Sequence, residues 1–201
     1  MCFIDQPTNR PKTMLYLSTL RIGLLSVVLS TVFAGDCNEY CVKPAPEGSC
    51  CERFGLNVNR DSDVVITAST SYSDDTGPHR AALFEDDQGG ISGWAAATNN
   101  AEQWIQVDFG SPRQVTGVLL QGRGFTHVTQ WVTSFRILFS NDGEIFYSTP
   151  TIEGTFDKST IARRYLDRPI VARYFRLNPI TYFGHITLRF DLLGCEAGIF
   201  G

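Results

Sequence analysis

Residues 103–121 read QWIQVDFGSPRQVTGVLLQ, and this stretch decides the fold class. From Trp104 to Phe109 apolar side chains alternate with polar ones, a pattern typical of a strand with one buried face. Gly, Ser and Pro at positions 110–112 form a turn signal. A second apolar run follows over 115–121. The stretch therefore predicts two strands separated by a turn.

The rest of the chain repeats this arrangement of short apolar runs and turns. Further predicted strands lie at 64–68, 135–139, 173–177 and 186–193, and Asn-Asp-Gly at 141–143 marks a turn. The chain also contains 18 Gly and 14 Phe, and such a composition favours strands joined by tight turns. Many short strands with few helical patterns predict an all-β fold, an antiparallel jelly-roll β-sandwich or barrel.

Composition and charge narrow the class of protein. The 201 residues are 43% hydrophobic and only 19% charged, which is enough apolar material for an ordered core. Lys and Arg number 17 against 21 Asp and Glu. A protein that binds nucleic acid through phosphate neutralisation would carry the opposite balance. We expect no nucleic-acid partner.

Residues 1–34 are predicted to be a secretory signal peptide. Arg10, Lys12 and Arg21 form a basic start, and the apolar stretch IGLLSVVLSTVFA at 22–34 ends in small residues. Thirteen apolar residues fall short of the roughly 20 that cross a bilayer as a helix. Met14 offers an alternative start. We expect a secreted, extracellular protein whose mature part carries 14 basic and 20 acidic residues.

The cysteines indicate a disulfide framework. Five remain after position 34, of which four lie within residues 37–51 and the fifth is Cys195. In an oxidising compartment at least one of the four should bridge to Cys195. An odd number leaves one thiol free or paired with another chain. A zinc site is disfavoured because the CxxxC and CC spacings lack paired CxxC motifs.

Several segments in order resemble the discoidin domain, also called the coagulation factor V/VIII C-type domain. The matching segments are FGL at 54–56, ITAS at 66–69, QWIQVDFG at 103–110, VTGV at 115–118, WVTSF at 131–135, RPIVARYFRL at 168–177 and LGC at 193–195. The resemblance covers residues 50–195. It divides the chain into the signal at 1–34, a short Cys-rich lead-in at 35–49, the domain at 50–195 and a tail at 196–201.

The resemblance implies a galactose-binding-like jelly roll whose two ends are joined by a disulfide. Cys195 is the C-terminal member of that bridge and Cys50 the favoured partner, with Cys51 as the rival. Cys37 and Cys41 lie in the lead-in. Trp94 and Trp104 are interpreted as core aromatics. Arg123 and Arg189 are interpreted as arginines that brace the barrel through several carbonyls.

Members of the family bind ligands with loops at one end of the barrel, which correspond here to residues 72–80, 122–130 and 152–159. Sugar-binding relatives combine His and Arg donors with an aromatic ring, and matching side chains occur here. The candidate ligand-binding residues are Asp74, Asp75, His79, Arg80, Arg123, Phe125 and His127. Asp74, Asp75, Asp86 and Asp87 are candidate calcium ligands, although such acidic turns also occur as solvated loops.

Phospholipid binding is the weaker hypothesis. Two carboxylates at the tip of the first loop oppose insertion near anionic headgroups, and only Phe125 and Phe156 could act as apolar wedges. No catalytic motif is found, so we expect no enzyme activity and no cofactor other than possible calcium. The sequence predicts a recognition module for adhesion or matrix that binds a glycan or glycoprotein. The alternative is a disulfide-linked oligomer that adheres to a protein.

Overall fold

Nine β-strands account for the regular structure of the computed structural model. It describes residues 51–56, 64–83, 92–124 and 127–196, all within the compact unit Asp36–Gly201; the other unit, Met1–Gly35, lies outside the described residues. The strands are β1 Glu52–Arg53, β2 Val65–Ala68, β3 Trp94–Ala95, β4 Ile105–Gln121, β5 Trp131–Ser140, β6 Tyr147–Ser148, β7 Ile152–Glu153, β8 Ala162–Phe183 and β9 Thr187–Glu196. Two 3₁₀ turns, Asp74–Thr76 and Pro78–Arg80, lie between β2 and β3.

The strands form a curled antiparallel sheet, which confirms the predicted jelly-roll fold. The strand order is β1-β9-β4-β8-β5-β6, while β2 also pairs with β4, β3 with β9 and β7 with β5. Every pairing between named strands is antiparallel. Among the described residues, no helix is long and apolar enough to cross a bilayer.

The core lies inside the curl of the sheet and is rich in aromatic rings. Trp94, Phe135, Phe175 and Phe190 are fully buried. Burial of a Phe-sized side chain stabilises a fold by about 1.5–3 kcal/mol. The prediction for Trp94 is therefore confirmed. Trp104 is only half-buried, and the Arg176 guanidinium lies 4.1 Å from the centre of its ring.

The predicted break at residues 110–112 is wrong, because β4 continues through it. Gly110 takes a left-handed φ of 71°, and the register against β8 shifts between Asp108 and Arg113. Pairing resumes at Arg113 opposite Ala172. Residues 109–112 therefore interrupt the pairing and shift its register, while the strand continues on both sides.

The paired ends of the domain carry a disulfide-bonded cysteine on each side. Cys51 and Cys195 are both disulfide-bonded. β1 pairs with β9 so that Glu52 lies opposite Gly194, which places Cys51 across from Cys195. This register favours Cys51, the predicted rival, as the partner of Cys195. Cys50, Cys37 and Cys41 lie outside the described residues.

Two carboxylates, Asp191 and Asp108, join distant segments of the barrel. Asp191, almost fully buried, accepts hydrogen bonds from Arg53 Nε at 3.0 Å and from the backbone N–H groups of Gly55, Leu56 and Leu192. Burial raises the pKa of the Asp191 carboxyl, while the Leu56 N–H and Arg53 oppose that rise. Asp191 therefore ties β1 and the segment after it to β9.

Asp108 and Arg173 form the second such link, between β4 and β8. Arg173 donates from Nε and Nη2 to the two carboxylate oxygens at 2.7 and 2.8 Å. The hydrogen bond from Arg173 holds the pKa of Asp108 below its ordinary value. Asp108 thus pairs with Arg173. Arg176, on the same strand, donates to Gln106 Oε1.

Candidate ligand-binding cleft

Several loops meet at the end of the barrel where β4 ends and β5 and β9 begin. Gly122 approaches the backbone of Lys158 and of Gln130 so closely that an added Cβ would lie 2.7–2.8 Å from their atoms. A Cβ at Gly184, between β8 and β9, would lie 2.7 Å from Thr129 O. These glycines let loops from distant parts of the chain pack together.

A concave cleft of about 390 Å³ opens among these loops. Its lining combines an aromatic ring, polar side chains and two small apolar groups: Tyr72, Ala95, Arg123, Val128, Gln130 and His185. Its size and its mixture of apolar and polar groups suit a small ligand or one sugar of a larger one.

Tyr72 and His185 form one wall of the cleft. The Tyr72 ring is 69% exposed, and its centre lies 5.8 Å from that of His185 in an edge-to-face arrangement. The Tyr72 N–H donates to Ala95 O at 2.8 Å, which fixes the start of the loop against β3. The exposed ring is therefore held in place at its backbone and beside a second ring.

Hydrogen bonds on both ring nitrogens define the state of His185. Asn99 Oδ1 accepts the Ile186 N–H, so its Nδ2 donates to His185 Nδ1 at 2.9 Å. His185 Nε2 then carries the proton and donates to Ala96 O at 2.7 Å. His185 is accordingly a neutral wall residue that orients Tyr72.

Arg123 and Gln130 form the polar side of the cleft. Arg123 donates from Nη1 to Gln130 Oε1 at 2.7 Å, and its backbone N–H donates to Gln130 O at 3.0 Å. Thr187 Oγ1 donates to the same Gln130 oxygen at 3.1 Å. Burial lowers the pKa of the half-buried Arg123 guanidinium, and nearby Tyr72 raises it.

Arg189 supports the floor under this loop. It is buried, and its Nε donates to Gly122 O at 3.0 Å. This bond is one carbonyl contact of the kind predicted for Arg189. For Arg123 the predicted bracing role is wrong, because that guanidinium binds a side chain of its own loop rather than strand carbonyls.

The fold agrees with a comparison against known families. Residues 65–192 match the family model described as F5/8 type C domain. The chain belongs to the F5/8 type C domain family. Mouse lactadherin is 38% identical over 159 residues, which are 73% of this chain and 34% of lactadherin. The chain therefore spans about a third of the length of that relative.

Solved structures show the same fold. The wild-type discoidin II of Dictyostelium discoideum superposes with a TM-score of 0.64 at 24% identity, over 77% of this chain and 61% of that one. Chitosan-binding module 2 from a Paenibacillus chitosanase/glucanase, solved in complex with chitotriose, gives a TM-score of 0.51 at 17% identity, over 66% and 97%. At these identities the likeness concerns the fold alone.

Of the predicted ligand-binding residues that the structure describes, only Arg123 lines the cleft. Asp74, Asp75 and His79 are exposed on the two 3₁₀ turns and do not line it. Half-buried Arg80 does not line the cleft either, nor does His127, which is exposed on the second predicted loop. Phe125 lies outside the described residues.

Tyr72, Gln130 and His185 were missing from the sequence-based set. Tyr72 opens the first predicted loop and Gln130 closes the second, so their positions at the loop ends carried a signal. His185 lies two residues after the end of β8, outside the three predicted loops. Its contact with Tyr72 depends on the pairing of β3 with β9, which no local pattern indicates.

The calcium hypothesis gains no ligand cluster from the described residues. Within 51–56, 64–83, 92–124 and 127–196 no group of three His, Cys, Asp or Glu side chains could hold a metal ion. Asp74 and Asp75 belong to this described part. Asp86 and Asp87 lie outside it.

A second concave surface is lined by Trp131, the residue that follows Gln130 in the sequence. It measures about 460 Å³ and includes Trp131, Phe156 and Phe183 in its lining. Trp131 and Phe183 stack with ring centres 4.3 Å apart and planes 10° from parallel. Phe156 is 70% exposed and Phe183 51%. This end of the barrel thus presents an apolar aromatic surface beside the polar cleft.

Proposed function

We propose that this domain is a secreted, non-enzymatic recognition module that binds glycans or glycoproteins in the Tyr72–Arg123 cleft. The observation that carries the proposal is one exposed aromatic ring facing hydrogen-bonding side chains in a cleft of one-sugar size. The same fold holds a glycan in a chitosan-binding module solved with chitotriose, so the fold is compatible with this class of ligand.

Each side chain of the cleft has a task that follows from its surroundings. The Tyr72 ring offers an apolar face to the C–H groups of a pyranose, which excludes water from that side. Arg123 and Gln130 offer N–H groups to sugar hydroxyls. Both nitrogens of His185 are already bonded, so His185 holds the ring of Tyr72 rather than the ligand.

A glycan array tests the proposal with a matched pair of tyrosine variants. Tyr72→Ala removes the stacking face, whereas Tyr147→Ala removes a ring of similar exposure, 65%, from β6. We expect binding by the wild type and by Tyr147→Ala, and loss of about ten-fold or more for Tyr72→Ala.

The same array, run in calcium and in chelator, tests the metal hypothesis. Binding in both conditions would show that the site needs no calcium held by Asp74 and Asp75.

A blank array for the wild type, or equal losses for both tyrosine variants, would overturn glycan recognition by this cleft.

A second candidate function is contact with a phospholipid surface, which the exposed aromatic cluster of Trp131, Phe156 and Phe183 favours. Such rings gain free energy when they leave water at a membrane interface. The sequence disfavoured this function because of Asp74 and Asp75. Those carboxylates lie on a different loop from Phe156.

Vesicle co-sedimentation tests the second candidate. Vesicles of phosphatidylserine and phosphatidylcholine should bind the wild type and Ile145→Ser, an equivalent change at a 63% exposed side chain between β5 and β6. They should fail to bind Phe156→Ser. Equal binding by both variants would exclude Phe156 as a membrane contact.

The predicted disulfide-linked oligomer stays a prediction, because three of its cysteines lie outside the described residues. Gel electrophoresis with and without reductant tests it directly. A monomer band without reductant would contradict it.

A further inference from the structure

Arg123 supplies the only formal charge among the described residues that line the cleft. Its neighbours there are a tyrosine, an amide, two apolar side chains and a histidine whose hydrogen bonds require the neutral form. No described carboxylate belongs to the lining. Among the described lining residues, the cleft therefore presents a positive charge without a counter-charge.

The partners of Arg123 differ from those of the structural arginines. Arg53 and Arg173 each donate to an aspartate at 2.7–3.0 Å. Arg123 donates to a neutral amide oxygen and forms no ion pair within the described part of the chain. Its Nε is buried without a hydrogen-bond partner there.

A guanidinium with donors to spare has a clear chemical preference. Its planar fork matches the two oxygens of a carboxylate, and such charge-assisted bonds are about twice as strong as neutral ones. Partial burial weakens competition from water and strengthens the attraction. A neutral hydroxyl would leave the charge unmatched.

The geometry points to a glycan that carries a carboxylate, a sialic or uronic acid, with the acid group on Arg123 and the sugar ring against Tyr72. This inference rests on the proposed function and names its ligand class. Arg123 acts as the specificity-determining residue, and Gln130 holds its fork in position.

Calorimetry with matched acid and neutral sugars tests the inference. The probes are 3′-sialyllactose with its methyl ester, and methyl glucuronide with methyl glucoside. At least one acid should bind the wild type about ten-fold tighter than its neutral partner, and the difference should shrink as salt is added.

Arg123→Gln should bring acid and neutral sugars to within about two-fold of each other. The matched control is Arg136→Gln on β5, because the Arg136 Nε also donates to a neutral side chain, Thr151 Oγ1 at 3.3 Å. Arg136→Gln should keep the preference, and Arg123→Lys should keep part of it through its charge.

The outcomes distinguish a failure of the acid preference from a failure of glycan recognition itself. Equal binding of acid and neutral sugars by the wild type would overturn the acid preference and leave glycan recognition standing. Binding of no glycan at all would overturn both, and binding to phosphatidylserine vesicles alone would assign the charge of Arg123 to a lipid headgroup instead.

Discussion

The two arginines Arg173 and Arg123 show how differently the two ends of this barrel use the same side chain. Arg173 lies where β4 and β8 pair, and Asp108 takes up its charge through two hydrogen bonds. Arg123 lies among the loops and binds only the neutral oxygen of Gln130 among the described residues. The charge of Arg173 is paired within the fold, whereas we propose that the charge of Arg123 pairs with a ligand.

This difference separates residues that stabilise the domain from residues that serve recognition. Charges and hydrogen bonds closed within the barrel should affect unfolding and leave binding intact. Side chains of the cleft should affect binding and leave unfolding nearly unchanged. Variants at each end of the barrel test whether effects on unfolding and effects on binding are separate in this way.

The largest effect on stability is expected for Asp191→Ala in β9. The change leaves the N–H groups of Gly55, Leu56 and Leu192 and the Arg53 guanidinium without their acceptor. Each buried N–H left without an acceptor costs about 1–3 kcal/mol, so we expect a loss of about 3–5 kcal/mol in the free energy of unfolding, measured with urea. The exposed control Asp75→Ala should change it by less than about 0.5 kcal/mol. A loss below 1 kcal/mol for Asp191→Ala would contradict this account.

Gly124→Ala should affect both stability and binding, with a loss of stability smaller than that of Asp191→Ala. An added Cβ would lie 2.0 Å from Ser92 Oγ and 2.9 Å from the Arg189 guanidinium. Overpacking of this kind costs about 1–3 kcal/mol and should move the loop that carries Arg123. Urea unfolding and glycan affinity should therefore both fall. Unchanged binding would show that the cleft does not depend on Arg189.

Asp108→Asn should give a smaller effect that depends on pH. Because Arg173 holds the pKa of Asp108 below its ordinary 3.8, the carboxylate stabilises the fold above pH 4. That contribution disappears as the pH falls through the depressed pKa. The melting temperature of Asp108→Asn should thus lie below that of the wild type at pH 7 and approach it as the pH falls increasingly far below 3.8. A constant difference across this range would contradict the ion pair.

The smallest effect on stability is expected for Arg123→Gln, although its effect on binding is large. The variant removes a half-buried charge that has no described counter-ion, so the free energy of unfolding should stay within about 0.5 kcal/mol of the wild type. Chemical denaturation measures it beside Arg136→Gln. A loss above 2 kcal/mol would mean that Arg123 is a structural residue like Arg173.

The sequence could predict the fold because strands and turns leave local signals. Alternating residues such as Ile105, Val107 and Phe109 are all buried, as one face of a strand should be. The apparent break after Gly110 was misread because one glycine with positive φ can serve either a turn or a bulge. Only the partner strand decides between them.

The candidate site could be predicted only in part, because its walls come from distant segments. Arg123 could be predicted because it lies in a loop that corresponds to a ligand-binding loop of the family. Its hydrogen bond to the neutral side chain of Gln130 could not, because it depends on how the loop folds. Tyr72 and His185 meet because β3 pairs with β9 and the Tyr72 N–H binds Ala95 O. The loop residues Asp74, Asp75 and His79 carried suitable chemistry but point to another part of the surface.

An NMR titration of the ¹⁵N-labelled protein with the glycan that binds most tightly on the array tests the central claim most directly. The account predicts that the largest amide shifts occur at Tyr72, Arg123 and Gln130, while Asp108 and Arg173 stay unchanged. Shifts centred instead on Trp131, Phe156 and Phe183 would contradict it and move recognition to the neighbouring aromatic surface.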